Sequence, residues 1–385
     1  MSEISDMIQR LCPDGVEYRK LGEVCSVVSA PKKIDKGDYQ SSGMIPIVDQ
    51  GKKLVIGYTN DCYATVPKGC YVIFGDHTRE IKYVDFDFAQ GADGVKILKA
   101  NNHVDIRYLF HAMTNLTIPS RGYNRHWTIA RDLEIPVPPL EVQRKIVEVL
   151  DNFSELTAEL TAELEARKKQ YEYYRDNLLN FSQIAPPNSV KWMKLGEICS
   201  PIDNIKWKMT SRSYQYIDLS SVDIQTHRII STLEINCDSA PSRAQQIVRS
   251  NDVIFATTRP TQMRACLVPE EYDEQICSTG YCVLRADLSV LLPQFLFYSL
   301  TTDSFKEYLS NNLTLGNYPS ISNSLLKKYL IPIPPLSEQE RIVSILDRFE
   351  ALTTDLTSGL PTEIKARQQQ YEYYRDQLLT FKRAN

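Results

Sequence analysis

One short segment of the chain combines the side-chain types that contact nucleic acids. Residues Arg121–Trp127 read RGYNRHW, which places two guanidinium groups, an amide and three aromatic rings around a glycine. Arginine can bind guanine through two hydrogen bonds or a phosphate through its charge, and asparagine can bind adenine. A solvated surface loop could have the same composition, so a second occurrence at an equivalent position is needed to separate the two interpretations.

The chain contains an internal duplication. Ile135–Leu140 reads IPVPPL and Ile331–Leu336 reads IPIPPL, and QYEYYRD occurs at both Gln170–Asp176 and Gln370–Asp376. Repeated segments of this kind indicate two copies of one structural unit. The stretches between the repeated segments have diverged, so the chain alternates two near-identical segments with two different ones.

A second polar and aromatic loop stands at the corresponding place in the second copy. Gly316–Ser320 precedes the second proline-rich motif, as Arg121–Trp127 precedes the first. Because the two loops occupy matched positions, we predict that both bind DNA, together with other basic, polar and aromatic residues of the diverged segments. The predicted DNA-binding residues are Lys32, Lys33, His77, Thr78, Arg79, Arg121, Tyr123, Asn124, Arg125, Lys206, Lys208, Arg212, Tyr214, Thr258, Arg259, Arg264, Asn317 and Tyr318.

The near-identical segments are predicted to be long helices. Each follows a Pro-Pro pair, and proline fits the first helical turn but not the interior. In the first copy, apolar residues from Val149 to Leu160 recur with the spacing of a coiled-coil seam. The tetrapeptide TAEL occurs twice in Thr157–Leu164, which shifts the heptad phase by four residues. Gly359 and Pro361 should kink or break the helix of the second copy.

The diverged segments are predicted to be mainly β-strand, because turn residues separate apolar runs of strand length. The fold class is therefore α+β, with two diverged domains separated by two long antiparallel, coiled-coil-like helices and related by a pseudo-twofold duplication. The predicted strands are Ile45–Val48, Cys70–Phe74, Val95–Leu98, Tyr216–Leu219, Asp252–Thr257 and Tyr281–Leu284, and the predicted shorter helices are Ile106–Asn115 and Leu292–Ser310.

The sequence has none of the catalytic motifs that can be recognised by spacing. It contains no GxGxxG, no Walker loop, no HExxH and no Asp/Asn-Pro-Pro-aromatic tetrapeptide. The nine cysteines form no CxxC pair, which favours reduced thiols over a disulfide framework or a zinc site. We therefore predict a binding protein that has neither catalytic residues nor a metal or cofactor of its own.

Charge and hydropathy are compatible with a DNA-binding protein of the cytoplasm. The net charge is −4, but residues 1–139 carry 17 basic and 17 acidic side chains, so a basic face is possible there. The first ten residues lack the basic flank and apolar stretch of a signal peptide, and no apolar run approaches the length of a transmembrane helix. The sequence predicts a cytoplasmic location.

These motifs resemble those of the specificity subunits of type I restriction–modification systems. The resemblance covers nearly the whole chain and lies in the PxPPLxxQ-like motifs Pro136–Gln143 and Pro332–Gln339 and in the TAEL tetrads. It implies a non-catalytic subunit in which each recognition domain reads one half of a bipartite asymmetric DNA sequence. It also implies partners: two modification subunits that use S-adenosylmethionine to methylate adenine, and restriction subunits that use ATP.

The resemblance implies four segments and a docking role for the helical repeats. Recognition domains are expected at 1–139 and 183–335, and helical spacers at 140–182 and 336–385. The helices would set the spacing between half-sites and dock the modification subunits. The residues expected to dock these subunits are Gln143, Tyr171, Tyr174, Arg175, Gln339, Tyr371, Tyr374 and Arg375.

Two other functions are compatible with the same residues. A protein–protein adaptor with a coiled-coil core would not bind DNA, and a nuclease with an unrecognised site would cut DNA alone with a divalent metal.

The duplication also makes a structural prediction. Ile4 and Met7 correspond to Leu178 and Phe181, so Ile4–Leu11 should be a helix that packs near the C-terminal part of the second long helix.

Overall fold

The computed structural model describes residues 2–91, 93–120, 122, 124–181, 190–314, 316, 318–354 and 359–384. The chain divides into two units. The first consists of Met1–Glu159 with Lys365–Asn385, and the second of Leu160–Ile364. Each unit mixes helix and sheet, and each combines one diverged segment with parts of both helical repeats.

The first unit contains eleven strands and four short helices within its described residues, together with parts of two longer helices. The strands are β1 (Tyr18–Lys20), β2 (Cys25–Val28), β3 (Lys33–Ile34), β4 (Ile45–Val48), β5 (Gly57–Thr59), β6 (Thr65–Val66), β7 (Tyr71–Gly75), β8 (Ile81–Val84), β9 (Phe88–Gly91), β10 (Val95–Ala100) and β11 (Glu134–Pro136). The helices are α1 (Ser2–Leu11), α2 (Leu21–Val24), α3 (Ile106–Thr114), α4 (Trp127–Ala130) and the first half of α5 (Leu140–Leu179).

The second unit is built from a similar series of elements. Its strands are β12 (Lys191–Lys194), β13 (Cys199–Ser200), β14 (Tyr214–Ile217), β15 (Leu233–Ile235), β16 (Ala244–Ile247), β17 (Val253–Ala256), β18 (Ala265–Leu267), β19 (Ile276–Ser278), β20 (Tyr281–Ala286) and β21 (Leu330–Ile333). Its helices are α6 (Leu195–Ile198), α7 (Pro293–Ser299), α8 (Asp303–Asn311), α9 (Asn323–Leu326) and α10 (Leu336–Thr354), with the second half of α5. Helix α11 (Leu360–Leu378) lies mainly in the first unit.

The two units share one sheet connectivity. Each has a four-stranded antiparallel sheet, ordered β2-β10-β7-β8 in the first unit and β13-β20-β17-β18 in the second. Val72 of β7 lies opposite Tyr83, and Val253 of β17 lies opposite Leu267, so the register is also the same. A two-stranded ribbon, β1-β11 or β12-β21, leads into the helical repeat in each case. These shared sheets are the structural counterpart of the duplication.

The units differ in a second sheet. In the first unit it has the order β3-β9-β4-β5, with β6 also paired to β9, and in the second unit it has the order β15-β14-β19-β16. Both sheets contain parallel pairs, β4 with β9 and β14 with β19. The variable part of the sequence therefore builds a different sheet on a common framework.

The helical repeats pack on each unit through aromatic side chains. In the first unit, Phe153 of α5 stacks on Tyr374 of α11, with ring centroids 5.1 Å apart. In the second unit, Tyr174 of α5 stacks on Phe349 of α10 at 5.6 Å. Stacked rings bury apolar area and fix the relative rotation of two helices.

The predicted break in the second repeat is confirmed. Gly359 is not helical and α11 begins at Leu360, which places Pro361 in the first turn of α11; residues 355–358, after Thr354 of α10, lie outside the described residues. Proline is tolerated there because the first N–H groups of a helix have no partner within it. The first repeat has no such residue and forms one helix of 40 residues.

The predicted N-terminal helix is also confirmed. Helix α1 spans Ser2–Leu11, and Ile4, only 4% exposed, belongs to the same apolar cluster as Leu378 and Leu379 at the C-terminal end of α11. The N–H of Val16 donates to the carbonyl of Lys382 at 2.8 Å. The two ends of the chain thus close onto one core within the first unit.

One predicted helix is interrupted. The segment Leu292–Ser310 was expected to form a single helix, but α7 ends at Ser299 and α8 begins at Asp303. The hydroxyl of Thr302 accepts a hydrogen bond from the N–H of Phe305 and caps α8. A side-chain cap of this kind favours a new helix start over continuation of the preceding helix.

Candidate nucleic-acid interface

A buried carboxylate holds the first predicted recognition loop. Asp76 directly follows β7 and is 2% exposed. Its Oδ1 accepts a hydrogen bond from the N–H of Trp127 at 2.7 Å, and its backbone oxygen accepts one from the N–H of His126 at 2.8 Å. Lys96 Nζ lies 3.8 Å from Oδ2. These contacts fix the end of the Arg121–Trp127 segment against the end of β7.

Gln50 connects three loops at the same end of the unit. Its Oε1 accepts from the N–H of His77 at 3.2 Å, its Nε2 donates to the carbonyl of Asp93 at 3.1 Å, and its backbone oxygen accepts from the hydroxyl of Thr78. Gly94 has a φ of +84°, and a Cβ there would lie 2.6 Å from the His77 ring. The close approach of these loops therefore requires glycine at this position.

Basic residues surround one carboxylate on this surface. Lys33 forms an ion pair with Asp93, and hydrogen bonding from Lys33 is the main cause that lowers the pKa of that carboxyl, with a smaller contribution from the charge of Arg125. Lys32 pairs with Asp61 at 2.6 Å. All of these basic side chains are exposed. The structure thus brings predicted residues from three separate parts of the sequence to one surface.

The second unit has the same construction with different side chains. Thr257 stands where Asp76 stands in the first unit, and its backbone oxygen accepts from the N–H of Ile321 at 2.9 Å. The N–H of Arg259 donates to the carbonyl of Pro319 at 2.7 Å, and its guanidinium lies 4.9 Å from the centre of the Tyr318 ring. The loop after β17 is therefore joined to the loop before α9, as the loop after β7 is joined to the segment before α4.

A second patch of the second unit contains the other predicted residues. Trp207 Nε1 donates to the carbonyl of Ala244 at 2.8 Å, and the Trp207 ring meets the Tyr214 ring edge-on at 5.8 Å. The guanidinium of Arg212 lies 5.0 Å from the centre of the Tyr214 ring. Lys206 and Lys208 are exposed on either side of Trp207.

Two predicted DNA-binding residues form hydrogen bonds to backbone carbonyls of the same chain. The guanidinium of Arg264 donates to the carbonyls of Leu219 and Val222, the second at 2.7 Å, and the side chain is only partly exposed. The guanidinium of Arg79 donates to the carbonyl of Ile118 at 2.9 Å. These bonds give both arginines a positioning role for neighbouring loops. Arg121, Tyr123 and Asn317 lie outside the described residues, whereas Asn124 is described and exposed.

The structure corrects the expected docking role of two glutamines. Gln143 has no exposed surface; its Oε1 accepts from the N–H of Asp105 at 2.8 Å, and its Nε2 donates to the carbonyls of His103 and Pro138. Gln339 is equally buried and makes the equivalent three bonds in the second copy, at 2.8 to 2.9 Å. Side chains with no exposed surface cannot touch another subunit, so these glutamines fasten the start of each long helix to its own unit.

The motif arginines are also directed inward. Arg175 is 7% exposed, pairs with Asp176 at 2.9 Å and lies 5.7 Å from the centre of the Tyr171 ring. Arg375 donates to Oδ1 of Asn115 at 3.0 Å and stands over Tyr371 in the same way. The exposed rings of the repeated motif are Tyr173, at 67%, Tyr373, at 61%, and Tyr174, at 41%, and only the last of these was among the expected docking residues.

Comparisons with known proteins identify the family. The profile of the type I restriction modification DNA specificity domain matches the chain twice, at residues 13–167 and 187–366. The specificity subunit of the type I restriction enzyme EcoR124I/EcoR124II of Escherichia coli is 31% identical over 99% of this chain and 98% of its own length. The chain belongs to the family of type I restriction–modification specificity subunits.

Further similarities agree with this family. The specificity subunit of the type I restriction enzyme EcoprrI of Escherichia coli is 44% identical over 23% of each chain. The crystal structure of a type I restriction–modification S subunit from M. genitalium matches 95% of this chain and 96% of its own with a TM-score of 0.57, at 15% identity, which indicates a shared fold. Specificity subunits are non-catalytic, and this specificity subunit is therefore not an enzyme on its own.

Three findings complete the description of this specificity subunit. Among the described residues, no group of His, Cys, Asp or Glu side chains could hold a metal ion. All nine cysteines are free thiols. Within the same residues, none of the helices is both long and apolar enough to cross a membrane.

Sequence reasoning missed some residues of the candidate interface. Gln50 and Asp93 are polar residues in ordinary turns. The sequence around them does not indicate that Gln50 bonds to His77 or that Asp93 pairs with Lys33. A search for polar residues at the ends of predicted neighbouring strands could have found them. The exposed Tyr173 and Tyr373 were inside a recognised motif, but the sequence did not show which of its tyrosines face outward.

Proposed function

We propose that each unit of this specificity subunit reads one half of a bipartite, asymmetric DNA sequence. The observation that carries this proposal is the equivalent loop pair in the two units. The loop after β7 is bonded to the segment before α4, and the loop after β17 is bonded to the segment before α9. The framework of the pair is the same but its side chains differ, so two different base sequences would be read from matched positions.

The side chains of the loop pairs suit phosphate and base contacts. In the first unit, Lys33, His77, Thr78, Asn124 and Arg125 would form the contact surface. Exposed lysine and arginine neutralise phosphates, and the polar groups between them can bond to base edges. Arg121 and Tyr123, which are outside the described residues, remain part of this proposal from the sequence.

In the second unit, contacts would come from the loop pair and from the Trp207 patch. Thr258, Arg259 and Tyr318 belong to the loop pair, with Asn317 added from the sequence. The cation–π contact of Arg259 with Tyr318 holds the guanidinium in one orientation, which favours bidentate hydrogen bonding to guanine. Lys206, Lys208, Arg212 and Tyr214 would extend the surface along the DNA backbone.

We also propose a division of the chain into four functional segments. Recognition domains occupy 1–139 and 183–335, and helical spacers occupy 140–182 and 336–385. The contacts of α5 with α11 in one unit and with α10 in the other support an antiparallel pair of helices that sets the distance between the half-sites. A rigid helical spacer gives a fixed number of unread base pairs.

The helices would also dock the other subunits of the complex. Two modification subunits, one for each copy of the repeat, would methylate adenine, and restriction subunits would join the assembly. The exposed Tyr173 and Tyr373 are suitable docking residues because aromatic side chains are enriched in protein interfaces. Tyr174, which is also exposed, would dock beside them, and the half-buried rings of Tyr171, Tyr371 and Tyr374 would support this surface.

Reconstitution tests this function directly. The chain is expressed with its modification subunit in cells that lack other methyltransferases, and the methylated adenines of the genome are mapped by single-molecule sequencing. The proposal predicts one motif with two different half-sites separated by unspecified bases. A continuous motif, or no methylation although the subunits copurify, would contradict it.

A further inference from the structure

An arginine of the first unit occupies a defined site between the sheet and the long helix. The Nε of Arg107 on α3 lies 2.9 Å from both carboxylate oxygens of Asp151 on α5. Its guanidinium lies 4.3 Å from the centre of the Tyr83 ring and 5.3 Å from that of the Phe110 ring. His111 Nε2 is 2.8 Å from the same carboxylate. Carboxylate and aromatic faces together form a typical guanidinium site.

The second unit has the equivalent site without the arginine. By the shared sheet register and the buried glutamines, Leu267 corresponds to Tyr83, Phe297 to Phe110, and Asp347 to Asp151. Gln294 stands where Arg107 stands. All four of these second-unit residues line a cavity of about 390 Å³. The cavity therefore lies where the first unit holds its own guanidinium.

The cavity of the second unit is lined by three carboxylates, those of Glu271, Asp347 and Glu350, and by one guanidinium, that of Arg228, whereas its counterpart pairs Asp151 with Arg107. Glu350 follows Asp347 by three residues on α10, so both carboxylates lie on one face of the helix. Both lie within hydrogen-bond distance of the hydroxyl of Tyr298, at 2.6 Å and 2.7 Å. A phenol has one proton, so it cannot satisfy two carboxylates at once. In the described part of the chain, neither carboxylate forms an ion pair with a lysine, arginine or histidine.

We propose that this cavity receives an arginine side chain from a modification subunit. The inference rests on the proposed assembly of this chain with those subunits. Arginine is the residue that the same site holds in the first unit, and its planar group can bond to two carboxylates while it packs on the Phe297 ring. The walls of the cavity are partly apolar, through Ile229, Leu267 and Phe297, and partly charged, and its volume fits one long side chain and excludes a helix or a strand.

The site is open in the second unit only, so it distinguishes the two copies of a partner. The first modification subunit would meet a unit whose site is already filled by Arg107, and the second would meet the open cavity. Otherwise similar docking surfaces would therefore bind two copies with different affinities.

Four proteins test the inference: the wild-type chain, Gln294→Arg, the double variant Asp347→Asn with Glu350→Gln, and Gln294→Ala as the matched control. Gln294→Arg should fill the cavity as Arg107 fills the site of the first unit. Each full-length chain is titrated with the modification subunit encoded with it, and the complexes are resolved by mass photometry. Circular dichroism melting establishes that each variant is folded.

The wild-type chain and Gln294→Ala should bind two modification subunits. Gln294→Arg and the charge-removed double variant should bind the first copy normally and the second at least about tenfold more weakly, because a desolvated charge contact is lost. If Gln294→Arg does not fold, the double variant alone decides. Equal affinity for the second copy in all folded proteins would overturn the inference. Failure of the wild-type chain to bind any modification subunit would instead overturn the proposed function, and the inference with it.

Discussion

Two kinds of residue stand at the ends of the equivalent strands β7 and β17. Asp76 and Thr257 are buried and hold a loop in place, whereas Arg259, in the loop after β17, and Arg125, in the segment bonded to the end of β7, are exposed. The buried residues make hydrogen bonds whose loss would leave polar groups unsatisfied, so they act on structure. The exposed residues make few such bonds and are available to DNA.

Replacement of the exposed arginines should therefore affect one half-site each. Arg125→Ala should weaken binding at the half-site read by the first unit, and Arg259→Ala at the other. A lost bidentate base contact costs roughly 1–3 kcal/mol at one base position, while a lost phosphate contact weakens all sequences alike and lowers the salt dependence. The two kinds of contact can be distinguished by measuring how the assembled complex binds DNA that carries substitutions in one half-site, at several salt concentrations. Equal effects of each variant on both half-sites would contradict the assignment.

The interactions of Asp151 with Arg107 and His111 make the stability of the first unit depend on pH. Burial by itself would raise the pKa of the Asp151 carboxyl, but hydrogen bonds from His111 and Arg107 lower it below the ordinary value of 3.8. A lowered pKa stabilises the folded state at pH values above 3.8, and this contribution is lost as the pH falls through the folded pKa. Asp151→Asn should therefore lower the free energy of unfolding by about 1–2 kcal/mol at neutral pH.

Urea unfolding of the wild-type chain and Asp151→Asn between pH 3 and pH 7 measures this contribution. The difference between the two proteins should be largest at neutral pH and should shrink below about pH 4. Asp87→Asn, at an exposed position of the same unit, is the control and should change stability little at any pH. A difference that stays constant with pH would show that the carboxylate charge is not the cause.

The sequence predicted which types of residue lie on the candidate DNA-binding surface better than it predicted which residues contact one another there. It identified Lys33, His77 and Arg125 as candidates because their types and loops fit DNA binding. It did not identify Gln50 and Asp93, since they meet the others only after three loops converge in the folded chain. It also could not tell that Arg264 is held by backbone carbonyls, because both an outward and an inward guanidinium fit the same loop sequence.

Among the elements, the starts of α5 and α10 depend on one buried glutamine each. Gln143 and Gln339 bond both to the proline-rich segment before the helix and to the segment before α3 or α7. Gln143→Ala or Gln339→Ala would leave several buried polar groups without partners. Each should lower the free energy of unfolding by about 2–4 kcal/mol. Thermal melts report the loss, with Gln369→Ala at an exposed position as the control.

A different result would support the docking role that was expected for Gln143 and Gln339 from the sequence. If Gln143→Ala kept the stability of the wild-type chain and lost only the binding of a modification subunit, the side chain would act in docking. The burial of both amides argues against that outcome. Their identical environments in the two units predict similar losses for both variants.

Several of the central elements followed from local patterns in the sequence. The strand predicted at Ile45–Val48 is found at the same residues, and the helix predicted at Ile106–Asn115 differs by one residue. Apolar runs between turn residues were sufficient there, because each strand is buried by the sheet it joins. The interruption between α7 and α8 was not predicted, because the cap at Thr302 competes with a helical pattern that continues on both sides.

At the scale of the whole molecule, the duplication was the most informative feature of the sequence. It predicted that two units would share a framework, and the matched sheets β2-β10-β7-β8 and β13-β20-β17-β18 show that they do. It also predicted the position of α1 beside the end of α11. The second sheet of each unit could not be predicted, because the variable segments have no common pattern and their strand order is set by tertiary pairing.

In the proposed function, the helices set the number of base pairs between two independently read half-sites. The tetrad Thr161–Leu164 lies inside α5. A helix rises about 1.5 Å per residue and turns about 100°, so removal of four residues shortens it by about 6 Å and nearly preserves its facing side. B-DNA rises about 3.4 Å per base pair, so the gap should shorten by one to two base pairs.

Mapping of methylated adenines in cells that carry the Thr161–Leu164 deletion, beside cells with the wild-type chain, tests this claim most directly. Both half-sites should be unchanged, and the unspecified gap between them should be one or two base pairs shorter. An insertion of two residues at the same place, which rotates one end by about 200°, should abolish methylation. An unchanged gap in the deletion variant, with methylation retained, would contradict the account because the helices would then not determine the spacing.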